Sequence, residues 1–157
     1  MKKIFIICSV RGMSDEYRSK LEKYVSELES NGNIIHLPHR DTNQNATGIE
    51  ICTQNMYAIK EADEIHIFYN SKSQGTHFDM GVAFALNKPI VIVENEEYGE
   101  GKSFARMIVE WENKYCTCGN PSKMGDCHFE DDENLIYCCV DCGKELIVEW
   151  NKQDHEI

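Results

Sequence analysis

The chain has 157 residues, room for one ordinary domain or one domain with a small appendage. Its 16 Lys and Arg stand against 27 Asp and Glu, a formal charge of −11, which argues against a nucleic-acid scaffold or an anionic membrane surface as main partner. The 41% hydrophobic content is enough for a packed core, yet no apolar run approaches the ~20 residues of a membrane span. The apolar stretch Ile4 to Ile7 is shorter than the core of a signal peptide, so a soluble, cytoplasmic protein is expected.

Strand and helix patterns alternate through the first two thirds. Lys3 to Ser9 is a short apolar run typical of a strand buried on both faces. Ser14 to Glu29 reads as a helix with Tyr17, Leu21, Val25 and Leu28 on one face, stopped by Asn31-Gly32. A second strand spans Asn33 to Leu37 and closes at Pro38, followed by a polar loop from Arg40 to Thr47. Thr47 and Glu50 have capping-box spacing for a second helix, with Cys52, Met56 and Ile59 on one face. Glu64 to Tyr69 is a third strand, and Ser71 to Thr76 a polar loop holding Gly75. Phe78 to Leu86 follows as a third helix and Ile90 to Val93 as a fourth strand. Ser103 can cap a fourth helix carrying Phe104, Met107, Ile108 and Trp111, and a fifth strand is expected near Lys114. This order implies an α/β fold: a three-layer parallel sheet with helices on both faces, Rossmann-like or flavodoxin-like in type. Ligands in such sheets bind beyond the carboxyl ends of the strands.

Composition shifts near Lys114, so residues 1–113 are read as the α/β domain and 114–157 as a separate cysteine-rich tail. The tail holds 10 acidic and 4 basic side chains, and six of the chain's eight cysteines lie between 116 and 142. In a reducing compartment such a cluster suggests metal before disulfides. Cys116-Thr117-Cys118-Gly119 and Cys139-Val140-Asp141-Cys142-Gly143 are two thiolate turns about 20 residues apart, a spacing that suits a closed tetrahedral zinc in a zinc-ribbon-like hairpin. Cys116, Cys118, Cys139 and Cys142 are the first choice of ligands, with Cys127, His128 and Cys138 as substitutes. The zinc is expected to be structural, and no organic cofactor is implied. A metal-free or redox-active cysteine hairpin is the alternative.

Three segments of the α/β domain carry candidate chemistry. Ser9-Val10-Arg11-Gly12-Met13-Ser14 follows the first strand; hydroxyls, a guanidinium fork, a glycine and a helix start suit a phosphate, though an ordinary turn with a surface arginine has the same composition. Ser73 to Gly81 leads from the third strand into the third helix and holds Gly75, Thr76 and Asp79. Asp79, expected in the first helical turn, can aim a carboxylate at a sugar's anomeric carbon or simply complement the helix dipole. Asn55 and Asp63 flank the end of the second helix, where Asp63 is more often a helix-terminating or strand-entry residue than a catalyst. His66, within a strand, reads as a hydrogen-bonded structural histidine.

Taken together, Ser9-Val10-Arg11-Gly12, Ala62-Asp63, the S-x-G-x-x-F-D-x-G of Ser73 to Gly81 and the following Ala83 to Ile90 resemble the nucleoside 2-deoxyribosyltransferase superfamily, in particular its 2′-deoxynucleoside 5′-phosphate N-hydrolases. The resemblance covers roughly residues 3–113 and leaves the cysteine-rich tail outside. It implies an α/β homodimer whose subunits complete each other's sites, a nucleotide or nucleoside substrate, and cleavage of an N-glycosidic bond through a carboxylate nucleophile, with water or a second base as acceptor. By resemblance Ser9, Arg11, Gly12 and Ser73 line the 5′-phosphate end, with Gly75 and Thr76 beside them, and Asp79 takes the nucleophile's place. Asp63 or Asn55 would then be an orienting group. The chain departs from the family pattern at three positions: Asp79 stands for a glutamate, Asn55 for a catalytic aspartate and Phe5 for a tyrosine. A catalytically silent nucleotide-binding or sensing module on the same fold is the alternative those departures raise, and a protein partner for the tail is a further expectation.

Overall fold

The computed structural model describes residues 1–112 with their side chains, residues 113–114 as the end of a helix, and beyond them the backbone of three strands at 124–125, 134–139 and 145–149. The chain divides into two compact units, Met1–Glu112 and Asn113–Ile157. The first unit runs β1 (Lys3–Ile7), α1 (Asp15–Ser30), β2 (Ile34–His36), α2 (Pro38–Asp41), α3 (Gly48–Glu61), β3 (Glu64–Phe68), α4 (Gln74–Ala85), β4 (Ile90–Glu94) and α5 (Phe104–Lys114).

Its four strands form one parallel sheet in the order β2-β1-β3-β4. β1 and β3 are central and almost wholly apolar, because strands covered on both faces have no solvent side on which to place polar residues. Side chains alternate between the faces. Ile4, Ile6 and Cys8 pack with Leu21 and Val25 of α1, while Phe5 and Ile7 point to the opposite layer, on the side of α3 and α4. Each fully buried isoleucine of β1 and β3 contributes about 1.5–3 kcal/mol.

Local signals fix the helix starts. Ser14 caps α1 by accepting from the Tyr17 N–H, and Thr47 and Glu50 form a reciprocal capping box at α3. Ser103 accepts from the Arg106 N–H at the start of α5. The Asn31-Gly32 stop is present, with Gly32 at φ +82°. Four expectations are corrected. The loop after β2 contains the short helix α2, entered through Pro38, whose fixed φ suits a first helical position. α3 buries Asn55 with Ile59 and leaves Met56 exposed, so an amide occupies its inner face. α4 starts at Gln74, four residues earlier than expected, because Ser73 caps it through the Thr76 N–H; Gly75 and Thr76 are helical. No strand begins at Lys114, where α5 ends; among the described residues the next strand, β5, belongs to another sheet.

In the second unit, β5 (Met124–Gly125), β6 (Asn134–Cys139) and β7 (Glu145–Glu149) form an antiparallel sheet in the order β5-β6-β7. The zinc expectation falls on Cys116, Cys118 and Cys142, which lie outside the described residues, and on Cys139, described only as the last backbone position of β6. Among the described residues no His, Cys, Asp and Glu group is arranged to hold a metal, and no helix is long and apolar enough to cross a membrane.

At the amino edge of the sheet, buried His66 sits between the Tyr24 hydroxyl (2.8 Å) and Glu64 (2.7 Å), and Glu64 also pairs with Lys2. This is the satisfied histidine the strand pattern implied. The His66 hydrogen bond, seconded by Lys2, overcomes burial and holds the Glu64 carboxyl at about 2, below its usual 4.5. A lowered native value means stabilisation that is complete above pH 4.5 and lost as pH falls through about 2. Glu64→Gln should therefore flatten the fall in stability over that window. Urea denaturation at stepped pH checks this, and an acid limb identical to wild type would refute it.

Candidate functional site

The carboxyl ends of β1, β2 and β3 and the start of α4 gather on one edge of the sheet. Asp79 lies in the second turn of α4, not the first, and the first turn of that helix carries no acidic residue. Its carboxylate is only 5% exposed. The helix-dipole explanation for this aspartate therefore fails, since that effect fades beyond the first turn and needs no burial.

Asn55, from α3, reaches Asp79 directly. Its Nδ2 donates to both carboxylate oxygens, at 3.1 and 3.3 Å. Its Oδ1 accepts from the Thr42 hydroxyl at 2.8 Å, and Thr42 in turn lies 2.9 Å from His36 Nε2. The His36 ring stacks on Phe5, centroids 5.1 Å apart and planes 12° from parallel. Phe5 is thus wholly buried, stacked against His36. Neither Thr42, in the polar loop after β2, nor His36, at the end of β2, was singled out in the sequence.

Burial raises the Asp79 carboxyl from 3.8 to about 6, the Asn55 hydrogen bond only partly opposing it. The neighbouring Cys8 thiol is pushed up to about 12, first by burial and then by Asp79, so it stays protonated.

Two further hydroxyls stand at this edge. Thr76 in the first turn of α4 is wholly buried and Ser9 at the end of β1 nearly so; neither Oγ makes a hydrogen bond among the described residues. Arg11 is exposed on the turn that follows and makes no ion pair among the described residues. Gly12 sits at φ +69°, a left-handed conformation that favours glycine. At Gly75 a Cβ would meet only Ser73 Oγ, at 4.0 Å, so the fold itself has no steric need of glycine there. Ser73 serves as the α4 cap. Beside it, His77 donates from Nδ1 to the Ser73 carbonyl (2.8 Å), leaving Nε2 to accept from the Tyr69 hydroxyl (3.4 Å).

Asp63 does not join this group. It stands at the other end of β3, where its carboxylate accepts from the Lys3 N–H at 2.7 Å and helps set the register of β1 against β3. The orienting role considered for it is thereby corrected to a structural one: strand entry explains this residue. A separate cavity of about 240 Å3 opens between the connections that follow β3 and β4, lined among others by Tyr69, Ser71, Glu96 and Ser103; Asp79 does not line it.

The nucleoside 2-deoxyribosyltransferase family model matches residues 6–137. The chain belongs to this family. Its fold is similar to the Clostridium botulinum CMP N-glycosidase (TM-score 0.50, 23% identity, 62% of this chain and 75% of that one). It is also similar to the 2-deoxyribosyltransferase of Bacillus psychrosaccharolyticus (0.56, 19%, 79% and 92%) and to that of Leishmania mexicana (0.50, 20%, 67% and 81%). A search of curated proteins returned no match. Family membership supports cleavage or transfer at an N-glycosidic bond as the activity of this chain.

A carboxyl raised by burial destabilises the fold when ionised. The penalty is present above pH 6 and disappears as pH falls toward 3.8, the reverse of the Glu64 case. Asp79→Asn should stabilise the protein by about 3 kcal/mol at pH 7 and by only about 0.5 kcal/mol at pH 4. Thermal or urea unfolding at the two pH values checks this, and an equal effect at both would refute it.

Proposed function

We propose that this chain cleaves the N-glycosidic bond of a nucleotide or nucleoside, with Asp79 as nucleophile. The observation that carries the reading is a buried carboxylate at the carboxyl edge of the sheet, held by Asn55. The ionised Asp79 attacks C1′ of the sugar. The C1′–N bond breaks, its electron pair leaves with the base, and the base takes up a proton from solvent water. Water or a second base then attacks C1′ and frees the carboxylate. Arg11, Gly12 and Ser9 are proposed to hold the 5′-phosphate end, supported by an uncommitted guanidinium beside a turn and the Ser9 hydroxyl. Ser73, Gly75 and Thr76 are proposed to border the sugar, with the buried Thr76 hydroxyl as a donor to it. Asn55 orients Asp79 and does no proton transfer, since an amide has no proton to exchange at neutral pH.

We propose further that the chain works as a cytoplasmic homodimer. Ile49 and Tyr57 on α3 and Phe78 and Phe84 on α4 are exposed apolar side chains that support a contact between copies. A structural zinc held by Cys116, Cys118, Cys139 and Cys142 is proposed for the tail, on the thiolate composition alone. The tail is also proposed to bind a protein partner or extend the dimer interface, its acidity disfavouring DNA. One second reading has its own support. Phe5 and Asn55 bring neither hydroxyl nor acid to the nucleophile, which favours a silent nucleotide sensor on the same fold.

Base release from deoxynucleoside monophosphates, ribonucleotides, nucleosides and NAD, followed by chromatography, separates the two. The enzyme reading expects release that vanishes in Asp79→Ala and whose kcat rises with pH through about 6, as the carboxylate ionises. Nucleotide binding by calorimetry without release, retained in Asp79→Ala, would establish the sensor. Metal analysis of protein purified without chelator should find about one zinc per chain, and below ~0.2 would defeat the zinc proposal.

A further inference from the structure

The structure assigns His36 and Thr42 to the positioning of Asp79: with Asn55 they form a one-directional relay of hydrogen-bond donors, clamped by the Phe5 ring, that ends on the carboxylate. This deepens the reading of Asp79 as nucleophile and rests on it. The direction follows from what each group can give. An ionised carboxylate only accepts, so Asn55 must turn Nδ2 toward Asp79, at 3.1 and 3.3 Å. That leaves Oδ1, an acceptor, facing Thr42 at 2.8 Å, and commits the single Thr42 hydroxyl proton to it. Thr42 Oγ1 can then only accept from His36, 2.9 Å away, so His36 carries its proton on Nε2. Reversing any link would set two acceptors against each other at hydrogen-bond distance.

Thr42 is 3% exposed and Asn55 7%, so water does not readily replace a missing link. Phe5 stacks on the His36 ring and fixes its plane, which keeps Nε2 aimed at Thr42. Two departures from the family pattern, Asn55 and Phe5, thereby belong to one connected unit. Asp41 and Arg40 are the charged groups that His36 feels, and they act in opposite directions; Cys8, protonated, is the titratable neighbour of Asp79.

The test reads Asp79 itself and needs no turnover. Carbon-13 NMR of the Asp79 carboxyl across pH 4–8 gives its pKa in wild type, Thr42→Val and Thr42→Ser. Thr42→Val keeps the shape but removes the donor to Asn55. The expected result is an upward shift of at least half a pH unit (about threefold in the ionisation constant), restored by Thr42→Ser. Nitrogen-15 shifts of His36 at pH 8 should report the Nε2–H tautomer. Thr42→Ala replaces the valine variant if that does not fold. An unchanged Asp79 titration in a folded Thr42→Val or Thr42→Ala protein, or an Nδ1–H tautomer in wild type, would overturn the relay. Absence of base release by wild type would instead overturn the proposed function, and the titration would still read the relay.

Discussion

The contact between the Asn55 amide and the Asp79 carboxylate organises the carboxyl edge of the domain. A carboxylate that is 5% exposed survives in an interior only if its oxygens are hydrogen-bonded. Asn55 supplies that, and only because α3 buries an amide where an amphipathic helix would normally place an apolar residue. The short helix α2 then matters in turn: it ends at Thr42, whose hydroxyl fixes which way the amide faces. The fold thus spends three polar side chains, on three separate elements, to hold one charge.

The parallel sheet explains why that charge sits where it does. β1 and β3 are central, so their carboxyl ends are hemmed in by neighbours on both sides. The register of β3 against β4 shifts between Ile67 and Phe68, at that same end. At the amino end, Asp63 and Glu64 are also held by hydrogen bonds, but their partners are the Lys3 amide and a histidine–lysine pair. The Glu64 carboxyl is lowered and gains stability; the Asp79 carboxyl is raised and gives stability up.

The layers of this domain were legible because burial writes them plainly. The apolar runs of β1 and β3, the Leu21 and Val25 face of α1 and the Thr47–Glu50 capping box each depend on residues close in sequence. The start of α4 was misjudged because Gly75 reads as loop, although Ser73 stands three residues before the Thr76 amide it caps. The site was legible only in part. Asp79, Asn55 and Ser9 could be named from motif order, but the link through Thr42 to His36 joins residues whose neighbourhood arises only when β2, α2 and α3 pack. Asp63 shows the opposite error, since its motif position suggested chemistry and its backbone partner explains it better.

Aspartate rather than glutamate as the proposed nucleophile has a geometric consequence. Aspartate ends about 1.5 Å nearer its backbone than the glutamate usual at this place. It also has one fewer rotor to freeze, so holding it in a single pose takes less entropy. Reach is lost and rigidity gained, so on the proposed reading the sugar must sit closer to α4 than a glutamate would require. The hydroxyls of Thr76 and Ser9 are buried at this same edge without hydrogen-bond partners among the described residues. Such groups carry a penalty of about 1–3 kcal/mol each when left unpaired. A sugar drawn in toward Asp79 would bring hydroxyls or ring oxygen to them, and that compensation would favour the deep pose the short carboxylate needs. The amide at Asn55 fits the same economy of space. An aspartate there would set two carboxylates against each other in a dry pocket, force one to hold a proton and split the titration between them. Asparagine leaves Asp79 as the one titrating carboxyl of the pair, able to ionise near neutral pH without a competitor.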